Sequence, residues 1–229
     1  MTKQHFNCNT CEATYCLLKL LPRDELKNIE HNSASVKIRK GEKLFRQQTP
    51  VSYIYHIRSG IVKTFVESNR SRNFIINIHK AGHLLGIRSK LTSRSHQFSA
   101  EAIDDSVICY INPDVFVDIL QRNNTFNFEI LKLISKESLT LSEKLHSFMK
   151  LLLPGKIANI LLYLSDEIYN SSTFDFPFTK TEFSQIIGAS RERVSKTLSE
   201  FINDRIISLE EQKVTIESKE LLVQLSKLG

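Results

Sequence analysis

Hydrophobic and polar residues follow two different patterns along this chain. In the first half, short runs of β-branched and aromatic residues are separated by turn residues such as Ser59-Gly60 and Gly82. The runs are Tyr53–Ile57, Ile61–Val66, Phe74–Ile78 and Val107–Ile111. This spacing predicts an antiparallel sandwich or barrel.

After Asn112-Pro113 the pattern becomes helical. Apolar residues recur at alternating steps of three and four, interrupted by the polar Ser138. They are Leu131, Ile134, Leu141, Leu145, Phe148 and Leu152. Such spacing is typical of a coiled-coil seam through which two chains form a homodimer, although the same stripe could pack on its own domain. Pro154-Gly155 predicts the end of this helix, and a second helix is expected over Lys156–Ile168.

The last third of the chain predicts two short helices and a β-hairpin. Thr179 and Glu182 have capping-box spacing, and Ser190 follows a glycine turn at a position that can cap a helix over Arg191–Asn203. The hairpin is expected from Ile206–Leu209 and Val214–Ile216. Helix, glycine turn, helix and hairpin in this order predict a winged helix-turn-helix that binds double-stranded DNA.

Candidate DNA-binding residues lie near the starts of these two helices. Arginine can bond guanine bidentately and glutamate can accept from cytosine, while serine and lysine can reach a base or a phosphate. The candidates are Thr179, Ser190, Arg191, Glu192, Ser195 and Lys196. The alternative is a helical pair whose charges are only solvated.

Composition narrows the class of protein only slightly. The 229 residues are 41% hydrophobic and 24% charged, with a formal net charge of +6 that weakly favours a polyanionic partner. Residues 177–229 contain eight basic and eight acidic residues, so a DNA-binding surface there requires local clustering. No apolar run is long enough to span a membrane, and the N-terminus lacks a signal-peptide pattern. We therefore expect a cytoplasmic protein with no membrane partner and with reduced thiols.

Four cysteines are the candidate metal ligands. Cys8, Cys11 and Cys16 form a Cys-x2-Cys-x4-Cys arrangement, and Cys109 is the only other cysteine in the sequence. Four thiolates can hold an iron-sulfur cluster or a tetrahedral zinc ion. Cys109 alone fits a buried core cysteine, whereas three thiols in a short polar arm indicate binding or redox chemistry. Iron-sulfur, zinc and unmetallated redox-active thiols all remain open on these grounds.

Several stretches resemble the cyclic-AMP receptor protein and FNR superfamily of transcription regulators. Ile187–Lys196 looks like its recognition motif, and Tyr55–Lys63 looks like a strand pair of its β-roll. The resemblance extends over nearly the whole chain. It implies an α+β fold with an N-terminal antiparallel β-roll, cupin-like or cyclic-nucleotide-binding-like, then a long dimerisation helix and a C-terminal winged helix-turn-helix.

This resemblance also implies a domain order and a set of partners. We expect a cysteine-bearing arm at 1–20, a β-roll sensor domain at 21–112, a dimerisation helix at 113–153 and a winged helix-turn-helix at 154–229. The implied partners are a palindromic DNA operator, a second copy of the chain and RNA polymerase. No enzymatic activity is expected.

Particular residues favour the FNR-type branch, which senses oxygen. Glu192 and Ser195 match its Glu-x-x-Ser-Arg reading pattern, but Lys196 replaces the arginine and cannot form the same bidentate fork. Gln97–Ile111 resembles the stretch that supplies the fourth cluster ligand, which implies a 4Fe-4S cluster on Cys8, Cys11, Cys16 and Cys109. The spacing departs from that branch, because four residues rather than the usual five precede Cys16.

Cyclic nucleotide binding is not expected. Ile87 stands where the cyclic-AMP branch has a glutamate, and His96-Gln97 stand near its Arg-Ser pair, so a phosphate would lose its guanidinium partner. Two rival functions remain. One is a regulator that senses a small apolar ligand, haem or thiol oxidation; the other is a β-roll metalloenzyme that uses His79, His83 and His96.

Overall fold

The computed structural model describes residue 13 and residues 16–68 and 73–228, without the side chains of residues 147 and 148. The chain divides into two compact units, Met1–Glu137 and Ser138–Gly229. Within the described residues, no helix is long and apolar enough to cross a membrane.

Two antiparallel sheets form the β-roll of the first unit. Their strands are β1 (Ser33–Ile38), β2 (Lys43–Phe45), β3 (Ile54–Ser59), β4 (Val62–Val66), β5 (Phe74–His79), β6 (Leu84–Leu85), β7 (Ser99–Ala102) and β8 (Ser106–Ile111). One sheet has the order β1-β8-β3-β6 and the other β2-β7-β4-β5. The four expected strands are present as β3, β4, β5 and β8. The other four are short or polar, and their hydrophobic pattern is correspondingly weak.

Strands β3 and β8 bury different residues on their two faces, because successive side chains point to opposite sides of a sheet. Tyr55 and Ile108 belong to the core between the two sheets. Ile54 and Cys109 belong to a second core, which also contains helical residues of the first unit. This second core is called the helical core below.

The first unit also contains a 3-10 turn at Leu17–Leu20 and three helices, α1 (Arg23–His31), α2 (Ile87–Leu91) and α3 (Pro113–Arg122). A fourth helix, α4 (Asn124–Lys150), begins in the first unit and ends in the second. Asn112 caps α3, since its Oδ1 accepts hydrogen bonds from the backbone of Asp114 and Val115. Asn123 Oδ1 in turn accepts from the backbone N–H of Phe126 at 2.9 Å and caps α4. The segment 113–153, treated above as one helix, therefore contains two helices, and Leu152 lies beyond the end of α4.

The end of the N-terminal segment is packed rather than exposed. Ala13, Cys16, Leu17 and Leu18 are all buried in the helical core. The expectation of a short polar arm therefore fails for Ala13 and for residues 16–18, while Lys19 and Leu20 are exposed. The two consecutive leucines, Leu17 and Leu18, explain the difference, because the burial of each leucine side chain stabilises the folded chain.

The second unit is helical with one small sheet. Its elements are α5 (Leu153–Tyr163), a π-helical turn at Leu164–Tyr169, β9 (Thr173–Asp175), α6 (Lys180–Ile187), α7 (Arg191–Asn203), β10 (Ile207–Glu210), β11 (Lys213–Ile216) and α8 (Lys219–Leu225). Pro154 lies in the first turn of α5, a position that proline favours, rather than ending the preceding helix. A Cβ on Gly155 would lie 2.8 Å from the carbonyl oxygen of Leu228, so glycine allows a close approach there.

Candidate nucleic-acid interface and cysteine centre

Helices α6 and α7 begin and end at the predicted residues because local hydrogen bonds fix them. Thr179 Oγ1 accepts from the Glu182 backbone N–H at 3.2 Å, and Glu182 Oε2 accepts from the Thr179 backbone N–H at 2.8 Å. Gly188 ends α6 in the left-handed region with φ of 72°. Ser190 Oγ then accepts from the backbone N–H of Arg193 and caps α7. The predicted capping box and the predicted cap of the second helix are confirmed.

The two helices are held together by a compact apolar core. Phe183 and Ile187 of α6 and Val194 and Phe201 of α7 are all buried. Thr197 completes the inward face of α7, whereas the apolar Ile202 is exposed. The buried face therefore leaves the opposite face of the first turns of α7 open to solvent.

Four of the candidate DNA-binding residues lie in the first two turns of α7. Arg191, Glu192 and Lys196 are exposed, and Ser195 is half-buried. Ser190 and Thr179 use their hydroxyls as caps, so their DNA contacts would be additional to that role. The predicted hairpin is present as β10 and β11, and β9 pairs with β11 as a third strand that the sequence pattern did not predict.

Two of the four predicted cysteine ligands lie in the described part of the structure. Cys16 and Cys109 are both buried in the helical core. Cys16 Sγ lies 3.2 Å from His56 Nε2. His56 is the strand partner of Cys109 in the β3/β8 register, so the two side chains are on the same face of the sheet. Cys8 and Cys11 lie outside the described residues.

Burial controls the protonation of the imidazole in this centre. Desolvation, reinforced by the positive charge of Arg58, lowers the pKa of His56 to about 4, so the ring is neutral near pH 7. Within the described part of the chain, no group hydrogen-bonds to His56 Nδ1, which is fully buried. A neutral, buried imidazole is therefore held against a cysteine sulfur.

His56 is a residue that the sequence analysis missed. Strand alternation in the run Tyr53–Ile57 does place His56 and Tyr55 on opposite faces. The sequence gives no sign that Cys16, 40 residues away, packs on the same face. This contact depends on the tertiary packing of the N-terminal segment.

The three histidines proposed for a metalloenzyme do not form a metal site. His79 Nε2 contacts Thr64 Oγ1 at 3.0 Å, and His83 Nδ1 contacts the carbonyl oxygen of Lys80 at 3.0 Å. The His96 ring instead stacks on Phe45 with centroids 3.8 Å apart. Among the described residues, no three His, Cys, Asp or Glu side chains are grouped so that they could hold a metal ion.

The predicted dimerisation seam is partly exposed in the single chain. Leu131, Leu141 and Leu145 are 55%, 46% and 60% exposed. Ile134 is half-buried and packs against the helical core, so this residue packs on its own unit, as the alternative to a dimer seam predicts. The side chain of Phe148 lies outside the described residues. Leu141 and Leu145 lie one helical turn apart, so their exposed side chains form an apolar patch of a kind that marks interaction sites.

A β-roll, a long helix and a winged helix-turn-helix with an open recognition face define a DNA-binding regulator. Comparison with known proteins identifies the family. Residues 35–123 match the model of the cyclic nucleotide-binding domain, and residues 155–225 match that of the Crp-like helix-turn-helix domain. The chain belongs to the CRP/FNR superfamily of transcription regulators, so it is not an enzyme, and the predicted α+β fold is confirmed.

Individual relatives cover almost the whole chain. The fumarate and nitrate reduction regulatory protein of Yersinia pestis is 25% identical over 226 residues, which are 96% of this chain and 90% of that protein. The anaerobic regulatory protein of Haemophilus influenzae is 24% identical over 96% of this chain and 88% of its own length. The structure of FixK2 from Bradyrhizobium japonicum has a TM-score of 0.79 at 17% identity and covers 86% of this chain and 98% of that one.

Proposed function

We propose that this DNA-binding regulator is a cytoplasmic homodimer that senses oxygen or redox state through an iron-sulfur cluster of the 4Fe-4S type, bound by Cys8, Cys11, Cys16 and Cys109. The observation that carries the proposal is the burial of Cys16 and Cys109 in one core beside His56. When bound, such a cluster supplies a group that oxygen degrades. Relatives named as anaerobic regulators support this choice.

The chemistry of the described residues fits such a cluster. Thiolates are the usual protein ligands of iron-sulfur clusters, and four are required. Cys109 sits on a rigid strand, while Cys16 directly precedes the packed 3-10 turn. Both residues are therefore held in place by the fold. Cys8 and Cys11 supply the remaining thiols from the same N-terminal segment.

Packing offers a route from the cysteine centre to the proposed dimer helix. The helical core contains Cys16 and Cys109 together with Phe126 and Ile130 from the start of α4. Close-packed cores transmit small displacements, because few voids are available to absorb them. Ligation of Cys16 and Cys109 would thus bias α4, provided that the cluster favours the dimer over the monomer.

A homodimer would present two α7 helices to a palindromic operator. Half-sites would then be separated by about one helical turn of DNA, roughly 34–36 Å. Arg191, Glu192 and Ser195 are the proposed base-reading residues, while Lys196, Ser190 and Thr179 contact bases or phosphates. RNA polymerase is the proposed protein partner, and no cyclic nucleotide is expected at Ile87 and His96.

Anaerobic purification tests the cluster proposal. We expect protein prepared without oxygen, or reconstituted with iron and sulfide, to contain both elements and to bind a palindromic operator. Exposure to air should remove the cluster and weaken DNA binding together. A colourless protein that retains zinc, or one whose oxygen response persists without iron, would contradict the cluster and favour the zinc or thiol alternatives.

Replacing Arg191 by alanine tests the proposed base contact. We expect the change to cost about 1–3 kcal/mol of operator binding and to relax the preference at one base pair, because a bidentate guanine contact is lost. Binding to a panel of single-base operator variants measures both effects. Arg193→Ala is the control, since this exposed residue of the same turn points to a different side of α7. If Arg191→Ala weakens all operators equally, Arg191 contacts phosphate instead.

A further inference from the structure

The fold places the polar side chain of His56 against a proposed cluster ligand. Its ring is fully buried, and its Nε2 lies 3.2 Å from Cys16 Sγ. Its strand partner is Cys109, so the imidazole and the Cys109 side chain are on the same face of the sheet. Neither the DNA-binding surface nor the set of four thiol ligands gives this buried histidine a role.

The direction of the hydrogen bond follows from the chemistry of a ligating sulfur. A cysteine bound to iron is a thiolate, which has no S–H and can only accept a hydrogen bond. The contact can therefore persist in the loaded protein only if His56 Nε2 carries a hydrogen. His56 Nδ1 is then an acceptor, and it is the atom that has no hydrogen-bond partner among the residues described. A bare acceptor is tolerated more often in a protein core than an unsatisfied N–H donor.

We propose that His56 is a positioning residue that donates its Nε2–H to Cys16 Sγ, raises the reduction potential of the cluster and slows its loss to oxygen. This inference rests on the cluster proposed above. A hydrogen bond withdraws electron density from a ligating sulfur, and hydrogen bonds to sulfurs are among the factors that set cluster potentials. Outer partners of this kind also orient the ligand that they contact.

Three substitutions separate the hydrogen bond from the volume of the ring. His56→Leu and His56→Met keep an apolar side chain of similar size without a donor, and methionine adapts to irregular gaps. His56→Gln keeps an N–H that can reach the sulfur. His96→Leu is the control, because it removes another buried imidazole, one that stacks on Phe45 and hydrogen-bonds to none of the described residues.

The readouts are the midpoint potential of the reconstituted cluster and the rate at which its visible absorbance decays in air. We expect His56→Leu and His56→Met to shift the ratio of oxidised to reduced cluster by up to about tenfold. For a one-electron couple, this corresponds to a lowering of the midpoint potential by about 59 mV. The decay in air should become several-fold faster. His56→Gln should restore most of both values, and His96→Leu should leave both unchanged.

Each result decides between the inference and the function on which it rests. If wild-type protein binds a cluster and the apolar variants match it in potential and decay, the role of His56 is refuted while the sensing proposal stands. An equal shift in His96→Leu refutes it as well. If His56→Leu folds but binds no cluster while His56→Gln binds one, the positioning role of His56 is supported. If both apolar variants fail to fold, His56→Asn, too short to reach Sγ, takes their place in the same comparison. Wild-type protein that binds no cluster refutes both proposals.

Discussion

Replacing Leu141 and Leu145 together by glutamate should convert the protein to monomers and weaken operator binding by about 100-fold or more. Both leucines are exposed on α4 in the single chain, and a partner helix would bury them. Four glutamates would then face one another across the two-fold axis at close range, which is unfavourable. Two linked DNA-binding modules gain about 10²–10⁴ in avidity over one, and a monomer loses that gain. Sedimentation and operator titration measure the two effects.

A matched control is available on the same helix. Leu139 is 67% exposed and lies away from the seam at 3.6 residues per turn, so Leu139→Glu introduces the same charge on another face. We expect this variant to remain dimeric and to bind DNA normally. A double variant that stays dimeric in sedimentation would place the dimer contact elsewhere on the chain.

Local signals in the sequence were sufficient to predict the recognition helix. Thr179, Gly188 and Ser190 act through hydrogen bonds and backbone conformation within a few residues, and the structure has α6 and α7 where these residues predict them. Capping is a short-range interaction, so it can be recognised without knowledge of the fold. Such local signals do not predict burial, and the exposure of Ile202 depends on which parts of the unit pack against α7.

Strand prediction succeeded where the hydrophobic signal was strong. The runs that became β3, β4, β5 and β8 are rich in β-branched and aromatic residues, which favour strands. Strand β7 consists of Ser99–Ala102, and β6 has two residues, so neither carries a recognisable alternation. Their pairing is determined by neighbouring strands, which a single sequence does not identify.

The cysteine centre required tertiary information. The sequence supplied four cysteines and, through resemblance, their proposed common ligand. It did not indicate that Leu17 and Leu18 draw Cys16 into the helical core, nor that His56 contacts it there. These contacts join residues that are far apart in sequence, and their positions depend on how the N-terminal segment packs against β3 and β8.

Substituting Cys16 by serine or Cys109 by alanine should abolish cluster binding almost completely. Each change removes one of four thiolates, and a hydroxyl or a methyl group does not replace a thiolate as an iron ligand in these clusters. DNA binding should then be the same with and without oxygen, at the lower level of the air-exposed wild type. Iron and sulfide analysis after anaerobic reconstitution measures the first effect, and operator titration under both atmospheres measures the second.

Packing damage must be separated from ligand loss in this experiment. Cys109 is fully buried and behaves in part as a small apolar residue, so alanine preserves the character of its surroundings better than serine. Ala13→Ser is the control for Cys16, because Ala13 is buried in the same helical core and serine adds a hydroxyl there without removing a thiol. We expect Ala13→Ser to retain the cluster even if its melting temperature falls. If Cys16→Ser retains iron while Cys109→Ala loses it, Cys16 is not a ligand. A different residue would then hold the cluster in place of Cys16, which the unusual four-residue spacing before Cys16 would explain.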